Sequence, residues 1–351
     1  ENDKLIAVSD SQSSYFRGQV EITGFSSDDD DGNIFYVSGE VLKRLVGIFP
    51  VAPVPLTFSI NQSSRVFVIK YTGNSFRLPI LSDANEVSEQ ELTKIGMIQA
   101  NDFFDVFGPL VKIVSTDPAT QDSPASCLHL KFADSKMRVM GTDTFAIAEI
   151  TKDYTPDEDS PKDELNILIR QPQAALLIKQ VNPSEVLTLV KTDSSFGYID
   201  GNGVLSLVSK TAMEPLNYQS MKKFAKDDVS ITTDYTDFKE TLDTIGKLAF
   251  ATNTIILKIS SEGTVQLTSM QGDVMNLAVS DTSGIDVDQQ YTFSRSVLSE
   301  ALIPIDTHTI KIQWKKPDDE DEDPRRVFQF VPIDDDGNAE KNVFILVVPN
   351  A

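Results

Sequence analysis

The sequence predicts an α+β protein built from three copies of one β-rich domain. Three observations lead there: a strand-like stretch that recurs, a strand–helix stretch that recurs, and a spacing common to both. The stretch Met137–Ile150 alternates apolar and polar residues, breaks at Thr142-Asp143-Thr144, and resumes at Phe145-Ala146-Ile147-Ala148. Alternation with period two marks a half-buried strand. Leu5–Asp10 and Thr264–Met270 occupy similar places, with starts spaced by 132 residues (5 to 137) and 127 residues (137 to 264). The second set is Phe35–Leu45, Ile167–Leu177 and Tyr291–Leu302, each a short strand, a polar break and a helix, spaced by 132 and 124 residues. Solenoid repeats have periods of roughly 20–50 residues, so this spacing reads as domain repetition. It divides the chain into residues 1–90, 91–212 and 213–351.

Within the first domain, Gly39–Ile48 reads as a helix, with Val41, Leu42, Leu45 and Ile48 on its apolar face and Pro50, Pro53 and Pro55 ending it. Leu56–Ile60, Arg65–Tyr71 and Ser75–Leu81 read as strands, with a turn at Thr72-Gly73-Asn74. The polar, acidic run Ser82–Lys94 suits an interdomain linker.

In the second domain, Ala100–Val114 carries Phe103, Phe107, Leu110, Val111 and Val114 at helical spacing, with Pro109 as a potential kink. Leu128–Phe132 and Met137–Ile150 follow as strands, and Pro156–Lys162 as an acidic loop. Pro172–Val181 is a second helix, then Val186–Lys191, Phe196–Asp200 and Val204–Lys210 are strands.

Thr211–Asp228 crosses into the third domain. Tyr235–Ala249 is its first helix, striped by Phe238, Leu242, Ile245 and Ala249, and Ser296–Ile303 its second. Thr254–Ser260, Thr264–Ser269, Met275–Ser280, Thr309–Lys315, Val327–Pro332 and Val343–Val348 read as strands. The run Asp318–Asp323 reads as a charged hairpin tip.

Composition narrows the function classes. The chain has 351 residues, 40% hydrophobic and 24% charged, enough for substantial cores. One cysteine, Cys127, excludes an internal disulfide and suits a reducing cytoplasm. No apolar run approaches ~18 residues, so no membrane partner is expected; no signal peptide is read either. The net charge of −22 is a sum, and binding depends on where the charges lie.

Catalysis and cofactors find little support. His129 and His308 fall in different domains and Cys127 has no base beside it. No phosphate-binding Gly-rich loop and no paired Cys/His metal pattern is present. The acidic loops Asp28–Gly32 and Asp334–Gly337 fail as calcium loops: with Gly32 or Gly337 at position six, the first and twelfth positions are Ser27 and Ser38, or Pro332 and Val343. An Asp/Gly turn explains them. We therefore expect no enzyme activity, no cofactor and no metal.

The order of the motifs resembles a known family, the bacterial-type DNA polymerase III β subunit or sliding clamp. Val139-Met140-Gly141-Thr142-Asp143-Thr144-Phe145-Ala146-Ile147-Ala148 is similar to that family's Val-Ala-Thr-Asp-Gly-His-Arg-Leu-Ala run. Ser75–Leu81 and the tail Val347–Ala351 also resemble family segments, although Thr144 and Phe145 replace its Gly-His and Asn350-Ala351 departs from its Met-Pro-Met end. The resemblance covers most of the chain. It implies a processivity fold with antiparallel sheets outside and two helices per domain facing a central hole, in a head-to-tail homodimeric ring. It implies double-stranded DNA bound without sequence preference, with a DNA polymerase and the clamp loader as further partners. Against the family pattern, a strand, helix and strand should precede Glu1.

Two surfaces follow from the resemblance. Cations in or beside the repeat helices would meet DNA phosphates: Lys43, Arg44, Lys112, Arg170, Lys179, Lys239, Lys247 and Arg295. Lys239 and Lys247 are eight residues apart and share a helix face. Such contacts carry no base specificity and weaken with salt. A partner-peptide cleft would be formed by Thr142, Thr144, Phe145, Ala146 and Ile147, by Pro215, Tyr218 and Met221, by Val297, and by Val348, Pro349 and Asn350. The apolar run Val343–Val348 almost reaches the terminus and must dock somewhere. The alternative expectation is a clamp-like protein that does not encircle DNA and acts as a decoy for clamp partners or the clamp loader.

Overall fold

A computed structural model of the chain describes residues 3–23, 34–49, 55–61, 63–82, 90–158, 164–179, 185–223, 225, 227–248, 252–316 and 326–350. The chain divides into two compact units, Glu1–Ser11 with Tyr15–Glu91, and Gln12–Ser14 with Leu92–Ala351.

The first unit carries the hairpin of β1 (Asp3–Asp10) and β2 (Ser14–Ile22), then helix α1 (Gly39–Val46) and strands β3 (Thr57–Asn61), β4 (Val66–Tyr71) and β5 (Asn74–Pro79). Ser38 caps α1, its hydroxyl accepting from the Val41 N–H at 3.4 Å. The helix stops at Val46, two residues before the expected end, and the Gly47 N–H closes the last turn. Strands β3, β4 and β5 form one antiparallel sheet. Thr72 and Gly73 both have positive φ (46° and 78°), which gives the two-residue turn the twist of its flanking strands. Leu45 packs with Phe67, Ile69 and Leu78, and Phe35, Phe49, Phe58 and Phe76 close around them.

The second unit repeats one order of elements. Its first copy is β6 (Thr93–Gln99), α2 (Ala100–Ile113), β7 (Cys127–Ala133), β8 (Lys136–Thr142), β9 (Ala146–Asp153), β10 (Thr155–Pro156), β11 (Leu165–Arg170), α3 (Gln171–Ile178), β12 (Val186–Lys191), β13 (Ser195–Ile199) and β14 (Leu205–Ser209). After the short helix α4 (Gln219–Lys222) comes β15 (Val229–Asp234), α5 (Tyr235–Leu248), β16 (Thr254–Ile259), β17 (Val265–Ser269), β18 (Val274–Leu277), β19 (Val279–Ser283), β20 (Gln289–Ser294), α6 (Arg295–Ala301), β21 (Thr309–Trp314), β22 (Phe328–Ile333) and β23 (Val343–Val347). The pairings repeat as well: β6 bonds β10 and β12 as β15 bonds β19 and β21, and β11 bonds β7 as β20 bonds β16.

Strands run β14-β13-β12-β6-β10, β18-β17-β16-β20 and, across both copies, β11-β7-β8-β9-β23-β22-β21-β15-β19. The seam of the long sheet is β9 against β23, from Val343↔Ile150 to Val347↔Ala146. The apolar C-terminal run is thus docked as an interior strand.

Helices pack side by side in the order α3-α2-α6-α5, with strands of the sheets behind them. Phe103 and Phe107 stack with centroids 4.1 Å apart under α2, and Phe238, Leu242 and Ile245 fix α5. Each such side chain contributes about 1.5–3 kcal/mol on burial. Helix α2 continues through Pro109 to Ile113.

Four strands go beyond the sequence expectation: β2, β6, β10 and β15. The expected linker Ser82–Lys94 runs into β6, and β15 (VSITTD) is too polar to read as a central strand. Pairing on both sides buries it, and Thr233 is satisfied by donating to the Ala278 carbonyl at 2.7 Å. The expected strand Met275–Ser280 is two: β18 pairs with β17 in one sheet and β19 with β15 in another, switching at Ala278. Thr155–Pro156, at the start of the expected acidic loop, pairs with β6. Pro50, Pro53, the loop Asp28–Gly32, the tip Asp318–Asp323, Val181, Ala249 and Ala351 lie outside the described residues, as do residues 83–89 and 159–163.

Candidate functional site

The turn between β8 and β9 is locked by its own side chains. Thr142 Oγ1 donates to the Ala146 carbonyl at 2.7 Å and accepts from the Thr144 N–H at 3.1 Å. Asp143 Oδ1 accepts from the N–H groups of Phe145 (2.9 Å) and Ala146 (2.7 Å). Thr144 is held at φ +83°, the left-handed region that a β-branched residue avoids. The result presents Phe145 outward, 52% exposed, while Ala146 and Ile147 are buried.

Burial pushes the Asp143 carboxyl above its usual range, against the pull of the backbone N–H groups that bond it. Glu300 on α6 is pushed up too, by burial first and the Asp143 charge second. Val297, three residues before Glu300 on the same side of α6, is half-buried against the core.

The tail crosses this turn. The Val348 N–H donates to the Phe145 carbonyl at 2.8 Å, and the Asn350 N–H to the Thr292 carbonyl at 2.7 Å. Val348 and Pro349 are half-buried and Asn350 is exposed.

Ala146, Ala148 and Ile150 join the core beneath the helices, so Ile147 and Glu149 point to the opposite face of the sheet. Register aligns two rows there: Leu168, His129, Met140, Glu149 and Phe344, and beside them Thr142, Ile147 and Leu346. The segment after β14 crosses this face, from the Thr211 N–H on the Leu168 carbonyl to Lys222 on Glu149. Pro215 and Tyr218 line a groove of about 180 Å³ with Leu216, His129, Leu168 and the Lys131–Glu164 pair. Met221 is half-buried beside Lys222.

The cleft candidates thus form three groups. Thr142, Thr144, Phe145, Ala146, Ile147 and the tail share the seam. Pro215, Tyr218 and Met221 belong to the crossing segment. Val297 sits on the helix side. Reading the sequence missed Glu149 and Lys222, although a glutamate inside the run Ala146–Ile150 is a visible anomaly.

The eight cations divide by surroundings. Lys43, Lys112, Lys179, Lys239 and Lys247 are exposed, with Lys239 Nζ 6.0 Å from the Tyr235 ring centroid. Arg44 pairs with Glu40 one helical turn away. Arg170 is half-buried, donating to the Gln121 carbonyl and lying 3.8 Å from Asp122. Arg295 is half-buried at the start of α6. Helices α1, α2, α3, α5 and α6 together carry six Lys/Arg against seven Asp/Glu. They are nearly neutral in a chain of net charge −22.

The groups considered for chemistry are quiet. His129 is buried, its Nε2 3.1 Å from the Pro124 carbonyl, and burial lowers its pKa. Burial pushes the Cys127 thiol up. His308 is exposed. Asp334 Oδ1 accepts from the Asp336 and Asn338 N–H groups, an Asp/Gly turn with Gly337 at φ +81°. Among the described residues no three His, Cys, Asp or Glu are grouped to hold a metal, and no helix is long and apolar enough to cross a membrane.

No protein-family description matches the chain, and no curated protein matches it. Solved structures do. The DNA polymerase sliding clamp of Bacillus subtilis superposes with a TM-score of 0.78 at 15% identity, over 99% of this chain and 90% of that one. The β sliding clamp of C. crescentus gives 0.76 at 17% identity, over 100% and 89%. The Helicobacter pylori β clamp, bound to a DNA ligase peptide, gives 0.70 at 14% identity, over 99% and 89%. The chain has the fold of the bacterial DNA polymerase sliding clamp.

Proposed function

We propose that this chain is a sliding-clamp subunit, a processivity factor that catalyses no reaction itself. Two chains close head to tail into a ring around duplex DNA, the first domain of one meeting the last domain of the other. Each chain contributes three domains, residues 1–90, 91–212 and 213–351, of which the last two are the repeated order of elements. A closed ring cannot leave circular duplex without opening. A polymerase tethered to it stays at high effective concentration near the primer end.

The observation that carries this reading is likeness along the whole chain to solved sliding clamps, at TM-scores of 0.75–0.78 in the Pseudomonas aeruginosa and Bacillus subtilis structures. The cations exposed on or beside the helices support it further: Lys43, Lys112, Lys179, Lys239 and Lys247 would supply attraction without a preferred register.

The cleft reading assigns partner peptides to Thr142, Thr144, Phe145, Ala146 and Ile147, to Pro215, Tyr218 and Met221, to Val297, and to Val348, Pro349 and Asn350. DNA polymerase and the clamp loader are the partners it would receive, in the cytoplasm. The peptide carried by the Helicobacter pylori clamp supports a peptide as the class of ligand.

A second reading is a clamp-like protein that does not encircle DNA and competes for clamp partners. The chain's net charge of −22 favours it.

Light scattering at micromolar concentration separates the two. A dimer that is retained on circular duplex and released when the circle is linearised supports the ring. A monomer at every concentration, with peptide binding intact, overturns the ring in favour of the competitor.

A further inference from the structure

A glycine sits inside α5 where a helix would rather have alanine. A Cβ on Gly246 would overlap Nε, Cδ and Cζ of Arg295, which reaches across from α6. The backbone of Arg295 is fixed at its origin. Its N–H donates to the Asn253 carbonyl at 2.8 Å. The Asn253 amide donates to Ser294 Oγ (3.1 Å) and Ser296 Oγ (2.6 Å) and accepts from the Ser296 N–H (3.1 Å). From this fixed backbone the side chain runs to α5, where Cδ, Nε and Cζ pack against Gly246.

It is held there without a counter-charge. The chain has 53 Asp and Glu against 31 Lys and Arg, so carboxylates are in excess. Yet among the described residues no carboxylate lies within ion-pair distance of Arg295, and its Nε is buried with no hydrogen-bond partner. Arg44 and Arg170, by contrast, both have acidic partners. Next to Gly246 stands Lys247, exposed. A guanidinium offers planar, fixed donors that match two oxygens of one phosphate. One whose stem is already packed against a neighbouring helix loses less freedom on meeting an anion than a fully exposed lysine.

We infer that Gly246 is a positioning residue that sets Arg295, beside Lys247, as a pre-organised contact for one backbone phosphate of duplex DNA. This rests on the proposed DNA-encircling function and singles out one of its cations. The other exposed lysines act as diffuse charge.

The test uses the full chain, the variants Gly246→Ala and Arg295→Gln, and their double variant. The probe is a short linear duplex whose binding is read by fluorescence anisotropy across a salt series, with thermal melting of each protein alongside. Because a short duplex needs no ring, a wild-type chain that fails to be retained on circular DNA sinks the ring and leaves this measurement valid. The expected result is that each single variant lowers the slope of log affinity against log salt by about 0.9 per subunit. The double variant lowers it no further, because both remove the same contact. A Gly246→Ala protein that melts higher and shows the reduced slope is the signature of a displaced arginine. An unchanged slope in Gly246→Ala, with Arg295→Gln reduced, overturns the positioning role. Unchanged slopes in both, with lowered melting, make the contact a packing one and overturn the proposal outright.

Discussion

Lys222 Nζ lies 2.7 Å from Oε1 of Glu149, a carboxylate whose side chain is 6% exposed on the face of the sheet opposite the helices. The same ammonium sits 4.7 Å from the centroid of Phe344 and 5.6 Å from that of Tyr218. One lysine therefore holds the crossing segment onto the β9–β23 seam. The second Glu149 oxygen is buried without a partner, so the pair leaves no spare satisfaction.

Removing one member of such a pair leaves a buried charge uncompensated. Lys222→Met should destabilise the protein by about 3 kcal/mol, the lower end for buried pairs because the lysine is partly exposed. Adding Glu149→Leu should restore most of that stability. Urea denaturation measures both. A change below about 0.5 kcal/mol, typical of surface substitutions, would show that the clasp contributes nothing.

Asp143 and Glu300 are both raised above the ordinary carboxylate range, each by burial first. The folded state then binds more protons than the unfolded state just above that range. Stability should rise as pH falls through the raised values and decline once both groups are ionised. Asp143→Asn keeps the Oδ1 acceptor for the Phe145 and Ala146 N–H groups and removes the charge. It should raise stability at neutral pH and flatten the dependence between pH about 4 and neutrality. Denaturation midpoints across pH read this; a profile identical to that of the parent would refute it.

Thr144 at φ +83° carries a backbone penalty of about 1–2 kcal/mol. Thr144→Gly removes it and adds backbone entropy to the unfolded chain, about 0.5–1 kcal/mol in the other direction. A net gain of up to about 1 kcal/mol is expected, seen as a higher denaturation midpoint. A lower midpoint would mean that the threonine side chain stabilises the turn by an interaction of its own.

Deleting Val348–Ala351 removes the backbone bonds to Phe145 and Thr292 and leaves β23 whole. Binding of a clamp-motif peptide should disappear while dimer mass and melting are preserved. Unchanged peptide affinity would remove the tail from the cleft.

Lys239 and Lys247 are exposed on α5, with Asp243 four residues from each. Reversing both to Glu introduces two like-charge i,i+4 spacings of about 0.2–0.5 kcal/mol apiece, too little to unfold the protein. DNA affinity should fall and the salt slope shrink by about 0.9 for each phosphate no longer neutralised. An unaltered slope assigns both lysines to solvent.

The sequence shows the repetition directly, because cores demand apolar residues at fixed periods. Phe103, Phe107 and Leu110 on α2, and Phe238, Leu242 and Ile245 on α5, announce their helices. Thr72-Gly73 announces its turn, and the tail's apolarity requires that it be docked. By itself, then, the sequence determined the α+β class, the repeat, most elements, and the likeness of the Thr142–Ile147 stretch to the sliding-clamp motif.

Tertiary structure decided what depends on pairing between distant segments. Strand β15 is central only because β19 and β21 flank it, which no local alternation of VSITTD records. Ala278 divides one apolar run between two sheets. Lys222 meets Glu149 across 73 residues, and Arg295 meets the bare backbone of Gly246 from another helix. Periodicity reports the burial of each element's own face; it carries no information about which face of a remote element lies opposite. That is fixed by long-range hydrogen-bond register and packing, and the seam, the clasp and the arginine cradle are its products.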